Sequence, residues 1–166
     1  MRAAILDDYQ DVAMKLADWS PVAKDVDIQV FRDHLHDEDE VAQRLKDFEI
    51  VVVMRERTLI TRSLLEKLPN LRLLVTSGMR NRGIDVEAAA EKGVFVAGTP
   101  SAGGSTSELT WGIIHALLRQ IPLEDKSTRL GMWQRSVGVG LKGRTLGVIG
   151  LGRVGSVVAK VGVAFD

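Results

Sequence analysis

Gly150, Gly152 and Gly155 stand in the order G-L-G-R-V-G near the end of the chain, which stops 11 residues after Gly155. A strand-like run, Thr145 to Ile149, precedes them, and a helix-like run, Arg153 to Ala164, follows. In that context a G-x-G-x-x-G has a chemical use. Glycines let main chain approach a pyrophosphate closely, and the following helix offers it unpaired N–H groups. The spacing reads as a dinucleotide-binding turn; the alternative is a tight strand–helix turn with no ligand. The acidic residue that would hold a ribose hydroxyl is due roughly 20 residues beyond the glycines. Asp166 stands only 14 residues after Gly152, at the expected helix end, and is not assigned that role. These residues therefore do not distinguish NAD from NADP.

Two other clusters follow strand-like runs, where ligands of open parallel sheets bind. In Met54-Arg55-Glu56-Arg57, Arg55 has a guanidinium able to fork onto a carboxylate. In Ser77-Gly78-Met79-Arg80-Asn81, successive backbone N–H groups could form an anion nest. The plainer readings are a solvated charge cluster and a turn that uses Gly78. Glu108 reads first as a helix cap, and Thr110 lies one turn into the same helix. His34 and His36 read as part of a polar loop, and no metal site is expected. His115 sits among apolar residues in mid-helix. No Ser-His-Asp or Cys-His arrangement is present.

The elements that position these residues alternate. Strands are expected at Arg2–Leu6, Asp27–Phe31, Ile50–Met54, Leu71–Thr76 and Val94–Ala97. The continuous β-branched run from Ile50 marks a strand buried on both faces. Helices are expected over Val12–Trp19, stopped by Pro21; after Asp37, with Val41, Leu45 and Phe48 as its apolar face; after Thr61, with Leu64, Leu65 and Leu68 inward; and over Ile84–Lys92, closed by Gly93. This alternation predicts an α/β fold with a doubly wound parallel sheet. Thr99 to Gly104 breaks the pattern, placing a domain boundary near residues 98 to 105. A long helix is then expected from Thr106 to Gln120, opened by a Ser105/Glu108 capping box and ended by Pro122. Its inward residues are read as Leu109, Ile113 or Ile114, Ala116, Leu117 and Ile121.

Bulk properties narrow the function classes. The 166 residues carry 22 basic and 22 acidic side chains, so no basic field argues for nucleic acid or an anionic membrane. There is no cysteine, hence no disulfide and no thiol chemistry. The N-terminus is not a signal sequence, no segment is long enough to span a bilayer, and a cytoplasmic location is the default expectation.

The order of motifs resembles the D-isomer-specific 2-hydroxyacid dehydrogenases. The likeness runs through VVVMRERTLITRSLLEKLPNLRLLVTSGM, IDVEAAAEKGVFVAGTP, SELTWGIIHALLRQIP and LKGRTLGVIGLGRVG. It implies a flavodoxin-like substrate domain over 1–104, an interdomain helix over 105–121, and the first βα unit of a Rossmann domain over 122–166. It further implies NAD(P)-dependent hydride transfer on a small 2-hydroxy or 2-oxo acid, with NAD favoured, in a homodimer. By position, Arg55, Gly78 and Met79 match substrate-facing residues. Thr110 and Gly150, Leu151, Gly152, Arg153, Val154 and Gly155 match cofactor-facing ones. The family's catalytic Arg, Glu and His are expected downstream of Asp166, so none is assigned within the chain. The chain is read as an N-terminal portion without turnover of its own. A non-catalytic nucleotide-sensing, substrate-binding or oligomerising relative is the alternative. One departure stands out: the family loop commonly reads G-x-G-x-D-N-I-D, whereas Gly78 to Asp85 reads G-M-R-N-R-G-I-D. Arg80 and Arg82 thus replace a glycine and an aspartate.

Overall fold

The computed structural model describes residues 1–100 and 103–166; Ser101 and Ala102, in the expected boundary segment, lie outside the described residues. The chain forms two compact units, Met1–Ser101 and Ala102–Asp166.

The first unit holds five parallel strands: β1 (Arg2–Ile5), β2 (Asp27–Val30), β3 (Ile50–Val53), β4 (Leu73–Thr76) and β5 (Phe95–Gly98). Their order is β2-β1-β3-β4-β5, the flavodoxin-like order. The chain steps one way from β1 to β2 and then returns across β1 to build β3, β4 and β5. The winding therefore reverses between β1 and β3. Three helices fill the returning connections: α1 (Glu38–Leu45), α2 (Arg62–Glu66) and α3 (Val86–Glu91). They pack side by side and cover Ala4, Val51, Val53 and Leu74 of the sheet. Each helix starts on a side-chain cap. Asp37 accepts from the N–H groups of Asp39 and Glu40, Thr61 from Leu64, and Asp85 from Ala88. The first two were expected from sequence; the third was not.

The helix expected at Val12–Trp19 is not formed. One turn begins, with the N–H groups of Lys15 and Leu16 donating to the Val12 carbonyl. The Trp19 indole N–H then donates to the Ala13 carbonyl at 2.8 Å, taking the acceptor that the next helical turn needs. Asp18 draws the Ser20 N–H into a local turn as well. Only turns remain between Asp8 and Val26.

The second unit contains α4 (Ser105–Leu118), α5 (Ile121–Arg129) and α6 (Arg153–Gly162), followed by a 3-10 turn at Val163–Phe165. Four expectations fail here. The Ser105/Glu108 capping box is absent: Gly104 at φ +78° is the N-cap, and Ser105 already lies inside the helix. Pro122 does not simply end α4. Gln120 breaks the chain at φ +52°, and Pro122 then sits in the first turn of α5, where a missing N–H costs nothing. The buried residues of α4 are Ser107 and Trp111, whereas Leu109, Ile113 and Leu117 are exposed. The helix is apolar on two faces, so its pattern did not say which face α6 would cover. Finally, Thr145–Ile149 forms no strand. A strand's main-chain groups are satisfied by neighbouring strands, and the described residues of this unit include none.

Candidate functional site

In the first unit, the carboxyl ends of β3, β4 and β5 bring three loops together. Just after β3, Arg55 is held in the left-handed region at φ +50°. Its N–H donates to Ser77 Oγ at 3.1 Å, and its carbonyl accepts from Asn81 Nδ2 at 2.6 Å. Asn81 also donates to Thr76 Oγ1 and accepts the Gly83 N–H, so one amide ties the two loops together. A non-glycine residue at positive φ is a strained conformation that surrounding bonds must hold. Here those bonds come from Ser77 and Asn81.

Gly78 follows β4 at φ +97°, and its N–H donates to Thr99 Oγ1 at 3.0 Å. The Arg55 guanidinium lies directly over it: a Cβ at Gly78 would come within 2.8 Å of Arg55 Nη1. From β5, Gly98 supports the same loop; a Cβ there would come within 2.8 Å of the Gly78 carbonyl and 2.9 Å of Met79 Cα. Arg55, Gly78 and Met79 thus occupy one patch, with Met79 largely exposed. Among the described residues Arg55 has no carboxylate partner. Such a guanidinium beside exposed loop backbone is suited to an anionic, planar group. Sequence reasoning placed Asn81 in the candidate nest without its side-chain role, and did not single out Thr99 and Gly98. The signal available was the polar or small residues at and just beyond the ends of β4 and β5.

Nearer the β1 end, Asp7 is buried at φ +60°. His34 Nδ1 lies 2.7 Å from its Oδ1, and Thr58 Oγ1 donates to its Oδ2 at 2.7 Å. The His34–His36 loop is therefore anchored by a carboxylate of the β1 loop.

In the second unit, Gly150 lies at φ +87°. A Cβ at Gly155 would overlap the Gly150 carbonyl oxygen, so the turn closes only with glycine there. Gly152 is the N-cap of α6, has open space around its Cα, and supplies no side-chain cap. The first N–H groups of α6 thus have no capping side chain and suit a phosphate. Leu151, Arg153 and Val154 lie in or beside this turn. Ser156 Oγ donates to the Leu151 carbonyl at 2.8 Å, and Arg153 forms no ion pair among the described residues. Thr110 lies on α4, with its hydroxyl donating to the Thr106 carbonyl at 2.7 Å. Trp111 beside it stacks on Phe165 and donates its indole N–H to the Val158 carbonyl of α6. The glycine geometry fits a pyrophosphate turn, although the strand expected before it is absent.

Residues 3–159 match the family described as D-isomer specific 2-hydroxyacid dehydrogenase, catalytic domain. The chain is 42% identical over 130 residues to D-3-phosphoglycerate dehydrogenase of Methanocaldococcus jannaschii, covering 76% of this chain and 25% of the relative. It is 35% identical over 142 residues to hydroxypyruvate reductase of Thermotoga maritima, covering 84% and 46%. The crystal structure of a phosphoglycerate oxidoreductase from Vibrio cholerae o395 matches with a TM-score of 0.91 at 39% identity, covering 99% of this chain and 53% of that one. The chain spans about half, or less, of the length of these relatives.

Proposed function

Because the chain belongs to the D-isomer specific 2-hydroxyacid dehydrogenase family, we propose that it supplies the substrate-facing loops and the pyrophosphate turn of an NAD(P)-dependent oxidoreductase. The substrate is a small 2-hydroxy or 2-oxo acid, the class to which the names of the relatives point. The observation that carries this reading is the Arg55 guanidinium lying over the Gly78 backbone, with Gly98 supporting the loop from β5. A substrate carboxylate takes its hydrogen bonds from Arg55 and from the loop backbone at Met79, beside Gly78, whose own N–H is held by Thr99 Oγ1. Thr99 and Asn81 position those groups by holding the loops. The turn from Gly150 to Gly155 holds the cofactor's pyrophosphate at the N-terminus of α6, and Thr110 stands on the neighbouring helix. A nicotinamide bound there supplies hydride chemistry. No residue of 1–166 is assigned to proton transfer. The protein acts as a homodimer in the cytoplasm, with NAD favoured.

Equilibrium binding tests this reading. NADH is expected to bind the 166-residue chain saturably, and Gly155→Val to abolish binding. Hydroxypyruvate is expected to shift the amide resonances of Gly78 and Met79, an effect lost in Arg55→Ala. NADH oxidation with a 2-oxo acid should stay at background. Hydroxypyruvate shifts that leave the 77–81 loop untouched would remove the substrate assignment, and NADH binding unaffected by Gly155→Val would remove the cofactor assignment.

A further inference from the structure

Past Met79, the loop after β4 reads Arg80-Asn81-Arg82-Gly83, where the family commonly has G-x-D-N. A neutral position thus becomes cationic, and an anionic one reverses its sign. Arg80 does not lie at positive φ, so the loop makes no use of the freedom a glycine would give there. Its shape comes from Asn81. That amide donates to the Arg55 carbonyl at 2.6 Å and to Thr76 Oγ1 at 2.9 Å, and it accepts the Gly83 N–H at 2.8 Å. With the Asn81 side chain used inside the loop, the arginines on either side of it are left exposed.

Neither guanidinium is matched. Among the described residues, Arg80 and Arg82 have no carboxylate partner and lie over no aromatic ring. The acids on neighbouring segments do not offset them. Asp85 accepts the Ala88 N–H and faces Arg62. Glu56 accepts the Arg82 main-chain N–H at 3.4 Å. Arg57 is engaged elsewhere, over the Tyr9 ring and on the Asp7 carbonyl. Around the patch this leaves Arg55, Arg80 and Arg82 against the single carboxylate of Glu56. A substrate carboxylate on Arg55 neutralises one of the two surplus charges. The other matches one further carboxylate, whereas a phosphate monoester brings about −1.5 to −2 at neutral pH. Charge of one sign beside a binding patch selects ligands of the opposite sign.

We propose that Arg80 is a specificity residue. It receives a second carboxylate at the far end of the substrate, so the substrate is a short dicarboxylic 2-hydroxy or 2-oxo acid. This rests on the dehydrogenase reading and narrows its substrate class. Arg80 directly follows Met79, whose backbone meets the first carboxylate, and its planar fork suits the second. Arg82 adds charge without a directed contact.

The test compares D-glycerate, D-malate and D-3-phosphoglycerate on the full 166-residue chain by NMR at constant ionic strength. These acids share a 2-hydroxy head and end in a hydroxyl, a carboxylate or a phosphate. Each should shift the Met79 amide. D-Malate should bind at least about tenfold more tightly than D-glycerate, as expected for one charge-assisted, forked contact. It should also move the Arg80 Nε signal, which D-glycerate leaves in place. Arg80→Gln should remove most of the D-malate advantage, and Arg80→Lys, which keeps the charge and loses the fork, should restore part of it. Arg82→Gln should weaken both acids by a similar, smaller factor. Equal binding of D-malate and D-glycerate, or an advantage that survives in Arg80→Gln, overturns the assignment of Arg80. Tighter binding of D-3-phosphoglycerate than of D-malate overturns the dicarboxylate class. If no acid moves the Met79 amide, the substrate reading of the patch fails and this inference fails with it; a shifted Met79 amide without preference sinks this inference alone.

Discussion

At the scale of single residues, the substrate-facing patch depends on backbone conformations that side chains elsewhere enforce. Gly78 is required for two independent reasons: its φ of +97° and the Arg55 guanidinium occupying the space of a Cβ. Gly78→Ala should therefore destabilise the chain by about 1–3 kcal/mol, and urea unfolding will measure it. Its carboxylate-dependent shifts should also vanish, because Arg55 must move away. Asn81→Ala is a gentler probe. It removes the amide that holds the Arg55 carbonyl, and it should weaken hydroxypyruvate binding with little change in the unfolding midpoint. A large stability loss with unaltered binding would show that Asn81 serves the fold and not the site. Arg80 and Arg82, which depart from the family pattern, are both exposed on this loop, and the Arg82 N–H reaches Glu56 at 3.4 Å.

At the scale of elements, the start of α1 is joined to both ends of α2. Glu38, in the first turn of α1, accepts from Lys67, Thr61 and Ser63. The Lys67 ammonium foremost, then the two hydroxyls, hold its carboxyl down at about 2, against an ordinary value of 4.5. A carboxylate depressed by folding contributes stability that is fully present above the unfolded value and is lost as pH falls through the folded one. Stability should thus decline between pH 4.5 and about 2, and Glu38→Gln should flatten that part of the profile. An unchanged slope in the variant would show that the bridge contributes nothing, as exposed ion pairs often do. The Asp37 cap offers a cleaner number: Asp37→Ala should cost about 1 kcal/mol by chemical denaturation. In the second unit, the Ser136 hydroxyl and the backbone N–H groups of Arg135 and Ser136 keep the Glu124 carboxyl below its usual range. That contact returns the glycine-containing stretch after α5 to the first turn of α5.

At the scale of the whole molecule, the two units differ in how completely they bury their apolar residues. The first has a continuous core in which Leu45, Val51, Ile60, Leu64 and Leu74 are almost fully enclosed. Leu74→Ala should cost about 2–5 kcal/mol. In the second, Trp111 and Val158 are buried, whereas Val154, Val157 and Val161 stay partly exposed and Ile149 is fully exposed. With no neighbouring strand, the amides of 145–149 should exchange with solvent within seconds, while those of β3 and β4 stay protected. Strong protection at 145–149 would mean that the run has found a strand partner, in another copy of the chain or elsewhere. No helix among the described residues is long and apolar enough to cross a membrane.

The sequence by itself determined much of what local chemistry controls, although it missed the Asp85 cap and wrongly offered one at Ser105. The five strands of the first unit were legible because β-branched runs alternated with capped helices. The caps at Asp37 and Thr61 and the closing glycine at Gly93 were legible because each satisfies main-chain groups within four residues. Gly150, Gly152 and Gly155 announced a turn, and two of them need glycine: Gly150 lies at positive φ and Gly155 has no room for a Cβ. Tertiary structure decided what depends on a distant partner. α4 buried Trp111 in place of the Leu109–Ile113–Leu117 stripe, and Thr145–Ile149 stayed unpaired. The pairing of Asp7 with His34 and the placement of Arg55 over Gly78 also join residues more than 20 positions apart. Periodicity reports which side chains avoid water, but a strand's hydrogen bonds, a helix's covered face and a site's geometry are set by the neighbours that fold against them.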